Sequence, residues 1–298
     1  MVEAAVIAIR FLQYAGAMIL LGSSLFFLYA VHGPRAVSLT SRIRWALASS
    51  AAILCTSSLL SIGLQASLFS GSFAEGFTLE GFSTVVSFMD LGKVALIRAV
   101  AAFFCLVAVL FMSGKHYGWL AVVATAGIAT ASLGWMGHGA ATGNFLHLVA
   151  NMVHALAAAL WVGALAGFLI LLSSVGDRNS ILQLETALLR FSSIGVPLVI
   201  VLSLSGGVNS WVLVGWANLI DLRFTPYSAV LIAKLAVFTI MLLLAAVNRY
   251  RLTPALHGAS DIPSVTHLRR SIATEAALGF AVLALVALLG TLEPPAVL

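Results

Sequence analysis

The 298-residue chain is 61% hydrophobic and only 8% charged, with a mean hydropathy of +1.10, which excludes a water-soluble globule and makes it an integral membrane protein. A formal net charge of +5 would suit a nucleic-acid binder, but the basic residues are confined to short gaps between apolar runs, where they set membrane topology instead. Membrane lipid is therefore the expected surrounding and nucleic acid is not a partner.

The apolar runs are continuous and about 20 residues long, whereas barrel strands would alternate. The expected fold is an all-α polytopic bundle, a single transmembrane domain over 1–298, with spans at 4–31, 45–69, 91–112, 117–136, 146–173, 187–214, 227–248 and 272–292. The first follows MVEAA without a basic leader, so it is expected to stay as a helix rather than be cleaved. Between the second and third lies the longest gap, SGSFAEGFTLEGFSTVVSFMD, whose aromatic residues are expected to anchor it at the membrane surface. Met89 stands at its end. Cys55 and Cys105 lie inside apolar spans without metal-motif or redox spacing, so inert packing is expected.

Charge alternates from gap to gap. Arg35, Arg42, Arg44, Lys115, Arg178, Arg190, Arg249, Arg251, Arg269 and Arg270 fall in one set, whereas Glu75, Glu80, Asp90, Asp221 and Arg223 fall in the other. Cytoplasmic loops carry the lysine and arginine excess, which puts both termini and the gap holding His138 on the periplasmic side.

The fourth and fifth spans meet in GHGAATGNFLHLVANMVHALAAALWVG, residues 137–163, which holds three of the seven histidines. Residues seven apart on a helix share a face, so His147 and His154 form a stripe with Asn151 between them. In lipid such a face turns inward or lines a cavity. His147 and His154 stand about 10 Å apart along the axis, too far for easy joint ligation of one ion. Two stations are expected: His138 and His147 near the outer mouth, with Met136, then His154 deeper. Imidazole and thioether suit copper, with Met136 and Met89 as soft ligands favouring Cu(I). Zinc, or histidines acting only as interhelical hydrogen-bonding groups, are the alternatives.

Other polar residues sit within the spans. Arg10, Lys93, Arg98 and Lys234 fall in the outer half with Gln65 and Asn209, and are expected either to pair with Glu3, Asp90 and Asp221 or to hold an anionic group. Glu275, near the inner end of the last span, is expected to pair with an arginine such as Arg249 or Arg190.

The chain resembles the CopD copper resistance and copper homeostasis membrane proteins. The resemblance rests on ordered segments: GHGAATGNFLHLVANMVHALAAALWVGALAGFL, LLSIGLQASLFSG, DLGKVALIRA, RFSSIGVPLVIVLSLSGGVNSWVLVG, PYSAVLIAKLAVFTIMLLLAAVNRYRLTPAL and LRRSIATEAALGFAVLALVALLGTLEPP. It implies an eight-helix bacterial inner-membrane protein that moves or handles copper, Cu(I) or Cu(II), with a periplasmic CopC-type carrier as partner. His138, His147 and His154 match the family's histidines, and Arg98, Asn209, Lys234, Glu275, Asn248 and Arg249 match its recurrent polar positions. No Met-rich tail or fused carrier domain is evident, so the carrier is expected to be a separate chain. A nucleotide-binding loop is also absent, which argues against an ATP-driven pump, and no enzymatic activity is expected. The competing reading is a redox protein that binds haem or quinone and reduces copper. Paired haem ligation is disfavoured because only His154 lies clearly within the membrane, though a single axial ligand stays open.

Overall fold

The computed structural model describes residues 2–30, 35–111, 116–137, 143–176, 178–215, 225–255 and 262–295. They form helices and short connecting turns, with no strand among the described residues. In chain order these are α1 (Val2–Ala30), α2 (Arg35–Ser70), α3 (Phe73–Gly76), α4 (Leu79–Phe88), α5 (Asp90–Phe111), α6 (His116–Ala131), α7 (Phe145–Leu172), α8 (Arg178–Val214), α9 (Pro226–Val247) and α10 (Ile262–Leu289). A tight 3-10 turn (Ser132–Trp135) extends α6, and a π-helical turn (Asn248–Leu252) extends α9. Eight of the helices are long and apolar enough to cross a membrane, in agreement with the spans read from hydropathy.

Three helices run further than their apolar stretches. α2 starts at Arg35, α8 at Arg178 and α10 at Ile262, each about ten residues before the expected span. Hydropathy marks only the lipid-facing part of a helix. The added turns of α8 are amphipathic, burying Ser180, Leu184, Glu185, Ala187 and Leu188 along one face. The long gap folds back on the bundle as α3 and α4, capped by Ser72 and Thr78, whose hydroxyls accept from the amides of Glu75 and Gly81. Phe73, Leu79 and Phe88 stay exposed as a surface anchor would, while Phe77 packs over Gly63 of α2.

α7 is the centre of the bundle, packed against α1, α6, α8 and α10. Its crossing with α1 depends on Gly22 and Gly163: a Cβ on either would collide with the opposing backbone. Without a hydrophobic drive between helices in lipid, such close approach supplies the dispersion contacts that hold them. Ser23 fixes the same crossing by donating to the Gly163 carbonyl at 2.9 Å. One continuous core runs through both halves of the chain, from Leu20 and Phe26 through Leu54, Cys105 and Phe168 to Ile272. Cys105 is buried there and donates weakly to the Val122 carbonyl at 3.5 Å, as a packing cysteine would.

Candidate metal path along α7

α7 begins where Asn144 caps it, its Oδ1 accepting from the amides of Leu146 and His147. That cap sets the register of everything below it. His147, Asn151, His154 and Trp161 then fall on one stripe, because seven residues are almost two full turns. From His147 to Trp161 the stripe covers about 21 Å of helix.

His147 is fully buried, and its Nε2 lies 3.2 Å from Asn151 Nδ2. His154, two turns along, places Nδ1 3.0 Å from the Ser205 hydroxyl on α8. The Ser205 proton is directed to the Val201 carbonyl at 2.6 Å, so the hydroxyl accepts from His154 and Nδ1 carries the ring proton. That tautomer leaves the lone pair on Nε2, the nitrogen a metal would use, with the serine orienting the ring from behind. The tautomer is assigned from the hydrogen-bond network. Among the described residues, no three of His, Cys, Asp and Glu converge on a single point.

The stripe ends on a buried acid. Trp161 Nε1 donates to Glu275 Oε1 at 2.9 Å, and Asn248 Nδ2 donates to Oε2 at 2.9 Å. Neither Arg249 nor Arg190 reaches the carboxylate. Arg249 donates to the Ser192 carbonyl and Arg190 to that of Tyr29, so two neutral donors replace the expected ion pair. The π turn carries Asn248 to this position, braced by Thr253 Oγ1 on its carbonyl at 2.8 Å. Asn248 Oδ1 is buried with no partner. Glu275, Asn248, Arg249 and Trp161 border a cavity of about 290 Å³ between α7, α8, α9 and α10, walled mostly by apolar side chains including Phe168 and Phe191. α8 also contains Pro197, which cannot donate to the carbonyl four residues earlier.

The cations within the membrane-spanning helices divide into separate settings. Lys93 pairs with Asp90 at 3.0 Å, both largely exposed, a surface contact of small energetic weight. Arg98 is 1% exposed and donates through Nε and Nη2 to Ser132 Oγ (2.9 Å) and its carbonyl (3.0 Å). Arg10 and Arg98 border a second cavity of about 100 Å³ with Gln65, Ser61 and Met136. Lys234, on α9, lies within electrostatic range of His154. Asn209 stands one turn from Ser205 on α8, its Oδ1 buried without a partner.

The structure therefore joins His147, Asn151 and His154 on one face and places Met136 at the arginine cavity. Met89 packs in a separate apolar cluster with Ile62, Ala66, Val85 and Ala95, none of them a metal ligand. His138 and Asp221 lie outside the described residues. Sequence reading did not single out Trp161, Ser205 or Ser132 as site residues. Trp161 continues the seven-residue spacing of the histidines, and Ser205 precedes Asn209 by one turn, so a search for polar periodicity on α7 and α8 would have found both.

Residues 1–148 match the family model "Copper resistance protein D-like, N-terminal domain" and residues 185–289 match "Copper resistance protein D". The chain is 32% identical over 299 aligned residues to the Copper resistance protein D of Pseudomonas syringae pv. tomato, covering 97% of this chain and 96% of that one. It is 26% identical to the Inner membrane protein YebZ of Escherichia coli (strain K12), covering 97% and 98% respectively. No solved structure gives a significant match. Eight apolar helices and relatives of this kind make it a multi-pass protein of the inner membrane. The chain belongs to the copper resistance protein D family.

Proposed function

We propose that this protein carries copper across the inner membrane, receiving the ion at the end of the bundle that holds His147 and passing it along α7 to His154. The observation that supports this most is the contact of His154 Nδ1 with the Ser205 hydroxyl, which in the assigned tautomer leaves the lone pair on Nε2. His138 delivers the ion to His147 in this reading. Both termini and that end of the bundle face the periplasm, where a separate CopC-type carrier supplies copper. The protein acts as a permease and not as an enzyme.

Further along the stripe, Glu275 is the one acid bordering the larger cavity, an oxygen ligand or proton acceptor for the last step toward the cytoplasm. Thioether ligation by Met136 is less favoured than imidazole ligation, because Met136 shares its cavity with two guanidinium groups. Met89 is further disfavoured by its apolar neighbours.

The test is copper accumulation in cells expressing wild type, His147→Ala or His154→Ala at equal membrane levels. Uptake should fall to the background of cells lacking the protein for each variant. Wild-type uptake by both variants would remove α7 as the route.

A redox reading has one observation in its favour, the aromatic cavity beside Glu275, which is large enough for the ring of a lipid-soluble cofactor. The visible spectrum of the purified protein separates the two. A Soret band would favour haem, whereas bound copper without one favours the permease.

A further inference from the structure

We infer that Arg10 and Arg98 form a binding site for a phosphate-type oxyanion at the histidine end of the bundle, in a cavity that neither His147 nor His154 lines. Arg98 comes from α5 and Arg10 from α1, and both border the cavity of about 100 Å³. A sphere of that volume is roughly 6 Å across and holds the equivalent of about three waters, which suits a small tetrahedral anion.

Among the described residues, no protein group compensates the charges there. Arg98 is 1% exposed and spends Nε and Nη2 on Ser132, leaving Nη1 without a protein acceptor. Arg10 lays its guanidinium over Gly290, just past the end of α10, and its Nη1 is buried with no hydrogen-bond partner among the described residues. No carboxylate lines the cavity among the described residues, and Asp90 pairs with Lys93 instead. Tyr14 lies within electrostatic range of both guanidiniums, but its neutral hydroxyl cannot balance them. Two guanidiniums in a largely apolar enclosure are costly unless an anion neutralises them, and water alone supplies no charge.

The remaining walls suit an oxyanion. Gln65 has no hydrogen bond to protein, so its amide can donate into the cavity, and Ser61 stands one turn away. The Arg10 fork can take two oxygens of one anion and Arg98 Nη1 adds a single donor, so a third oxygen, which phosphate has and a carboxylate lacks, is needed to satisfy both. Phosphate chemistry fits either free inorganic phosphate or the headgroup of an anionic phospholipid whose tails lie along Val6, Leu64 and Leu68.

The experiment uses the full-length protein in phosphatidylcholine nanodiscs at low chloride, titrated with inorganic phosphate by calorimetry. A second arm adds phosphatidylglycerol and counts retained lipid by native mass spectrometry. Wild type should bind one phosphate, or retain one phosphatidylglycerol, and Arg10→Gln should weaken that binding by at least about tenfold, as loss of a charged hydrogen-bonding partner predicts. Phosphate binding identifies a free oxyanion, and lipid retention without it identifies the headgroup. If Arg10→Gln fails to insert, Arg10→Lys keeps the charge without the fork and should weaken binding severalfold. Absence of saturable one-to-one binding in wild type, or equal binding by wild type and the inserted variant, would overturn the site.

Discussion

Trp161 and Glu275, 114 positions apart in sequence, are joined by a 2.9 Å hydrogen bond between α7 and α10. Glu275 is 2% exposed and Trp161 3%, so the bond lies inside the bundle, at the wall of the larger cavity. The bond links the helix that carries the histidines to the last helix of the chain. Phe238 of α9 packs edge-on against the same indole, with ring centroids 6.2 Å apart, which fixes its tilt.

Trp161→Phe keeps most of that packing and removes the donor. Glu275 is then left with Asn248 alone, a loss of about 1–3 kcal/mol for leaving a buried carboxyl oxygen without its donor. Thermal melting of the purified variant should fall accordingly. Trp161→Phe should melt well below a control such as Leu120→Ala on the exposed face of α6.

Arg98 gives a second case in which geometry matters more than charge. Its Nε and Nη2 fork grips the hydroxyl and carbonyl of Ser132 together, which holds the 3-10 turn against α5. A lysine retains the charge and cannot make both bonds. Arg98→Lys should lower stability by about 1–3 kcal/mol, read as a drop in melting temperature, whereas Ser132→Ala should lose only the hydroxyl part of the grip.

These two contacts mark where sequence reading reaches its limit. The eight spans were readable because apolar length is a property of each segment alone, and the histidine stripe because helix periodicity relates positions within one segment. Glu275 was expected to meet an arginine since charge pairing is the usual answer for a buried acid. Its partners are an indole and an amide from two other helices, and which residues face it depends on the π turn at Asn248 and the close crossing of α1 and α7. No single segment encodes that. The outer cations were likewise readable as a group, but only packing divides them into an exposed pair at Lys93, a cavity at Arg10 and Arg98, and Lys234 near His154.

The close crossing itself is open to test. A methyl group on Gly163 would press into Gly22 and the backbone of Ser23, where no side chain can move aside. Gly163→Ala must therefore push α1 and α7 apart or strain them, at a cost of about 1–3 kcal/mol, and it also disturbs the Ser23 bond to the Gly163 carbonyl. Melting temperature should drop although alanine favours helix more than glycine does. An unchanged or raised value would mean the helices are further apart than described.

Ser205 separates the orienting role of a neighbour from the ligand role of His154. In the assigned tautomer Ser205 accepts from Nδ1 and orients the ring, which leaves the lone pair on Nε2. Ser205→Ala removes that acceptor without touching the proposed ligand, and the ring can then rotate or change tautomer. Loss of an outer partner of a ligating histidine typically weakens metal binding about 10–100-fold. Copper affinity of the purified protein should fall within that range for Ser205→Ala, whereas His154→Ala should abolish binding at this station. Ser205→Thr restores the hydroxyl and should recover most of the affinity. If Ser205→Ala binds copper as wild type does while His154→Ala does not, the ion uses Nδ1 after displacing the serine, and the assigned tautomer is wrong. If His154→Ala also binds like wild type, His154 is a packing residue and its bond to Ser205 serves only to hold α7 against α8.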